Sequence, residues 1–161
     1  MIAVYPLQVN RFFFNTMDIK AFFTETQQKA IQLAIENAEL NTSGELRVHI
    51  DSKCTGEVLS VAKKTFEKLK MHKTELRNGV LFYLALENKK FAVIGDKGIN
   101  DAVESTFWDS IRNTMANEFK REQFTVGLCQ GIEMAGEKLK KHFPYQKDDT
   151  NELPNDISFE D

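Results

Sequence analysis

Apolar positions first fall three and four residues apart at Ala30, Ile31, Ala34, Ile35 and Ala38, which predicts one stripe of an amphipathic helix. Thr24 and Gln27 form a T-x-x-Q capping box ahead of it, and Asn41-Thr42-Ser43-Gly44 ends it with turn residues. The period then switches to two. Leu46, Val48 and Ile50 alternate with Arg47 and His49, predicting a strand with one face buried and His49 turned to solvent. Val58 to Met71 returns to helical spacing. Gly79 to Leu86 is nearly continuous apolar sequence, as a strand covered on both faces requires. A polar turn, Glu87-Asn88-Lys89-Lys90, leads into the return strand Phe91–Ile94. After the loop Gly95–Asn100, helices are expected over 101–120 and 124–143. Gly127, Gly131 and Gly136 in the last one suggest close approach of a neighbouring backbone.

The resulting order, α-β-α-β-β-α-α, predicts an α/β fold: a three-layer α/β/α sandwich with a small mixed sheet of three to four strands. The domain is expected over 17–144. Residues 1–16, MIAVYPLQVNRFFFNT, lack the basic start and small-residue cleavage site of a signal peptide. They read as an extension from an upstream start codon, with an edge strand at Ile2–Val9 as the alternative.

Charge changes the picture at the other end. The 161 residues carry a net charge of −3, yet Pro144–Asp161 alone holds six acids against Lys147. The body before it is therefore slightly positive, and without a basic stripe it does not point to nucleic acid. The acidic 145–161 segment has no apolar periodicity, so it is expected to be a disordered, dispensable tail. Cys54 and Cys129 form no CxxC pair, which favours a reducing, cytoplasmic setting. No run is long enough for a transmembrane segment.

Several short motifs then fall in a telling order. Thr42-Ser43-Gly44-Glu45-Leu46-Arg47-Val48, Arg77-Asn78-Gly79-Val80-Leu81 and Ile94-Gly95-Asp96-Lys97-Gly98-Ile99 resemble the signatures of TPM domains. Phe107-Trp108 and Gly127-Leu128 fall at similar places downstream, and the resemblance spans about Phe22 to Phe143. The family takes its name from thylakoid-lumen phosphatase-like, photosystem-repair and worm receptor-modulating proteins. This chain is similar to its short stand-alone bacterial form. The resemblance implies two divalent metal ions bound near crossing loops, and in some plant relatives a phosphatase activity.

The residues allow a site to be placed. A helical crossover should make Leu46–Ile50 parallel to Gly79–Leu86, and the hairpin makes Phe91–Ile94 antiparallel. Glu45, Glu75, Asn78, Asp96 and Asp101 then gather at one sheet edge, offering the oxygen ligands that hard Ca²⁺ or Mg²⁺ prefers. Asp96 is the first choice among them, with Asp101 alternatively a helix cap. Cys54 is a candidate reactive thiol at a helix start. His49, His72 and His142 show no ligand spacing, and Trp108 reads as core. Two functions follow. One is a regulatory metal-binding module, monomeric, whose loops order around the ion and meet a protein partner, a membrane-held one included. The other is a metal-dependent phosphatase acting on phosphate esters, although no catalytic motif is evident.

Overall fold

The computed structural model describes residues 5–6 and 18–160. Helix α1 (Glu25–Glu39) begins as the sequence predicts: the Thr24 hydroxyl accepts from the Gln27 N–H, and the Gln27 side chain accepts from the Thr24 N–H. Both N–H groups would otherwise be orphaned at the helix start.

Among the described residues, five strands form one mixed sheet in the order β1-β4-β3-β2-β5. They are β1 (Tyr5–Pro6), β2 (Glu45–Asp51), β3 (Gly79–Ala85), β4 (Lys90–Gly95) and β5 (Ser158–Glu160). Strands β2 and β3 run parallel across helix α2 (Val58–Lys68), and β3 and β4 form the antiparallel hairpin. One face carries α1, α4 (Ser105–Lys120) and α5 (Phe124–His142), packed on Leu46, Val48, Ile50, Val80, Phe82, Leu84, Phe91 and Val93. The other face, Leu81, Tyr83, Ala85, Ala92 and Ile94, is covered by Val58, Ala62 and Phe66 of α2 together with Met71 and Leu153. This is the expected three-layer sandwich, and the period-two alternation within each strand divides the two cores. The expected close approach occurs at Gly136, where a Cβ would sit 3.1 Å from Ala38 Cα.

Three expectations need correction. The polar face of β2 is not solvated: Glu45, Arg47, His49 and Asp51 are all buried, none more than 8% exposed. The reason is the 145–161 segment, which was expected to be disordered. It runs back along the sheet, buries Leu153 and Ile157, and adds β5 in parallel to β2. Few apolar residues are needed, because main-chain hydrogen bonds and pre-existing charges on β2 supply the partners. The helix after β4 also starts earlier than expected. Helix α3 (Lys97–Ala102) is capped by Asp96, whose carboxylate accepts from the Lys97 N–H, and Asp101 lies in its last turn.

At the amino end, Tyr5 and Pro6 pair antiparallel with Phe91 and Lys90 at the sheet edge. The rest of the Ile2–Val9 alternative, and of the proposed 1–16 extension, lies outside the described residues. No helix among the described residues is long and apolar enough to cross a membrane.

Candidate functional site

Three segments cross at the amino end of β2 and β3. Backbone bonds stitch them together: Asp96 N–H to Gly79 O at 2.9 Å, Gly98 N–H to Arg77 O at 2.8 Å, and Glu45 N–H to Asn78 O at 3.4 Å. Gly98 lies so close to the Leu76–Arg77 backbone that a Cβ would meet Leu76 O at 2.2 Å. Arg77 takes a left-handed conformation, φ 51°, which turns the chain into Asn78-Gly79. The five residues expected to gather do lie around this crossing, but their side chains divide between two places.

Asp96 and Asp101 lie in a cleft of about 470 Å³ between α2, the Met71–Lys73 turn and α3. The cleft is of mixed charge, with Lys63, His72, Arg77 and Lys97 among its lining residues. Asp96 is buried and receives both Arg77 Nε (2.6 Å) and Nη2 (2.8 Å), a bidentate fork. Asp101 is paired with Lys97 at 2.7 Å, one helical turn away. A cation here would have to displace two bases.

The other place is acidic throughout. Ser43, Glu75, Leu76, Gln146, Asp148, Asp149, Thr150 and Glu152 line a cleft of about 200 Å³, with no base among them. A neighbouring cavity of about 560 Å³ is lined by Glu36, Glu39, Glu45 and Asp149 together with Thr42, Asn151 and Asn155, again without a base. Asp149 belongs to both. The Glu45 carboxylate accepts from the Glu152 N–H at 2.8 Å and the Leu153 N–H at 3.3 Å, holding the carboxy-terminal segment in place. Glu152 in turn accepts from the Glu75 N–H at 3.2 Å. Asn78 is buried, donates to Ser43 Oγ at 3.4 Å, and leaves its Oδ1 without a partner among the described residues.

Burial and crowding of like charge act on two of these carboxyls, Glu39 and Glu45. Burial chiefly, with Glu45 adding repulsion against the opposing Leu46 N–H, pushes Glu39 up to about 8. Glu45 is pushed up to about 7, again chiefly by burial and then by Glu152 and Asp149, although two backbone N–H groups oppose the shift.

Glu39, Asp148, Asp149 and Glu152 were missed from sequence because they looked like helix surface and solvated tail. A usable signal lay in β2, where four alternate positions (Glu45, Arg47, His49, Asp51) are all polar or charged beside the nearly continuous apolar run of β3. Such a row on a central sheet calls for a polar cover. Cys54 does not match the reactive-thiol reading: it is buried, and burial pushes its thiol up rather than down. Trp108 is core as expected, packed over Gly95.

Comparison with known proteins agrees with the fold. Residues 16–138 match the TPM domain family model. The NMR structure of BA42 protein from the psychrophilic bacterium Bizionia argentinensis is 50% identical, with a TM-score of 0.82, covering 88% of this chain and 98% of that one. The N-terminal domain of cg2496 protein from Corynebacterium glutamicum shares the fold at 13% identity, with a TM-score of 0.61 over 95% of this chain and 93% of that one. No curated protein matches. The family motifs, their order along the chain and the likeness to BA42 over nearly its whole length lead to one conclusion: this chain belongs to the TPM domain family.

Proposed function

We propose that this domain binds a divalent cation, Ca²⁺ or Mg²⁺, in the acidic cleft between the Thr74–Asn78 loop and the Gln146–Glu152 segment, and that the ion fixes that segment for contact with a protein partner. The observation that carries this reading is the gathering of Glu75, Asp148, Asp149 and Glu152 around one small cleft lined by no base. Carboxylates and hydroxyl or amide oxygens suit hard cations. Two residues expected from sequence, Glu45 and Glu75, take part: Glu75 as a ligand, Glu45 by holding Glu152 from behind. Asp96 and Asp101 are satisfied by Arg77 and Lys97 and are not ligands in this proposal.

The test follows from the raised carboxyl values. Glu39 and Glu45 titrate at about 8 and 7 in the folded state, above the ordinary 4.5. The folded chain therefore holds more protons than the unfolded one across that window, so without metal stability falls as pH rises through it. Glu39 and Glu45 are not ligands in this proposal, so they set the stability of the metal-free protein and the choice of pH rather than calcium binding itself. Thermal melts with chelator and with millimolar Ca²⁺ are expected to separate at pH 8. A hundredfold excess over Kd corresponds to about 2.7 kcal/mol. A double variant, Glu75→Gln with Asp149→Asn, is expected to abolish the separation. Coincident melts of the parent protein at pH 8 would defeat the proposal.

A further inference from the structure

A second cluster lies at the opposite end of the same polar strand face. The register of β5 on β2 sets Ser158 beside His49 and Glu160 beside Asp51. Period-two alternation therefore brings all four side chains to the face that α2 covers. One ring nitrogen of His49, an Asp51 carboxylate oxygen and a Glu160 carboxylate oxygen all lie within 4.8 Å of one another. We propose that these three form a transition-metal site, for Zn²⁺ or a chemically similar ion, that clips the carboxy-terminal strand to β2.

The donor set separates this site from the acidic cleft. An imidazole nitrogen beside carboxylates favours zinc and its neighbours, whereas an all-oxygen set favours Ca²⁺ or Mg²⁺. Ligands about 2.1 Å from a tetrahedral ion lie about 3.4 Å apart, so a modest closure of the observed cluster suffices. Nε2 of His49 is already 2.9 Å from Asp51 Oδ1, and a metal would take the place of the proton between them.

The surroundings have the form of an outer ligand shell. Metal-bound imidazoles are oriented through their other nitrogen, and here His49 Nδ1 is 2.7 Å from Ser158 Oγ. The second oxygen of Asp51 accepts from the Tyr83 hydroxyl. His49 and Asp51 are both more than nine-tenths buried, which keeps them in place before any ion arrives. Glu160 is the exposed partner, paired with Lys68 at 2.6 Å in a surface pair that a metal would break at little cost. Two of the three ligands are thus fixed on β2, while the third arrives with β5. Metal binding is coupled to docking of the strand.

The experiment uses chelator-stripped full-length protein in millimolar Ca²⁺, which fills hard-cation sites beforehand. Co²⁺ is titrated in as a spectroscopic stand-in for Zn²⁺, followed by its visible absorption. One equivalent is expected to bind, to be displaced by Zn²⁺, and to slow backbone hydrogen exchange at Ser158–Glu160. His49→Gln and Glu160→Gln are each expected to weaken binding about tenfold or more. Because His49 is buried, the exposed Glu160→Gln variant guards against a result that reflects misfolding alone. Absence of a cobalt spectrum in the parent protein would overturn the site. So would parent-like binding by the Glu160→Gln variant, which would place the metal on other histidines or thiols.

Discussion

Deleting Tyr145–Asp161 is expected to destabilise the domain by several kcal/mol, with a visible drop in the urea midpoint. Leu153 and Ile157 leave the core, and each buried aliphatic side chain is worth about 1.5–3 kcal/mol. The β5 ladder and the two N–H groups that serve Glu45 are lost as well. Part of this is offset because the freed segment regains conformational entropy and the charges on β2 regain water. The deletion also turns β2 into an open edge, so the shortened protein should self-associate more readily. An unchanged midpoint would mean that the segment contributes nothing to the fold. Substituting Leu153→Ala alone should show a smaller loss in the same direction, about 2–3 kcal/mol.

The second large effect is expected at Asp96. Asp96→Asn should lower stability by about 2 kcal/mol while leaving the calcium response nearly intact. The carboxylate accepts two charge-assisted bonds from Arg77 and one from the first N–H of α3, and a neutral amide cannot hold both arms of the guanidinium. The Arg77 side chain is 47% exposed, so water recovers part of the loss. A ligand role for Asp96, the first choice from sequence, predicts the opposite: weakened ion binding and a metal-free fold as stable as before or slightly more so. Melts with chelator and with calcium separate the two readings. A variant as stable as the parent but blind to calcium would restore Asp96 as a ligand.

Sequence by itself determined the three central strands, the long helices and their layering. The alternation in Leu46–Ile50, the unbroken Gly79–Leu86 run and the helical stripe from Ala30 are local patterns, and burial in a sandwich rewards each of them independently. Parallel pairing of β2 with β3 also followed, since a helical crossover admits little else. Even the crossing point of Glu45, Asn78 and Asp96 was legible from connection order. What remained hidden were side-chain partnerships. Nothing local to Asp96 shows that Arg77, turned by its left-handed backbone, reaches back across 19 residues to hold it. The fate of 145–161 was hidden for the same reason. Its own composition is that of a solvated tail, and it orders only because β2 presents an open edge, two apolar seats and a row of charges awaiting partners. That cover is a property of the assembled sheet, so only the tertiary structure decided which carboxylates gather, and where.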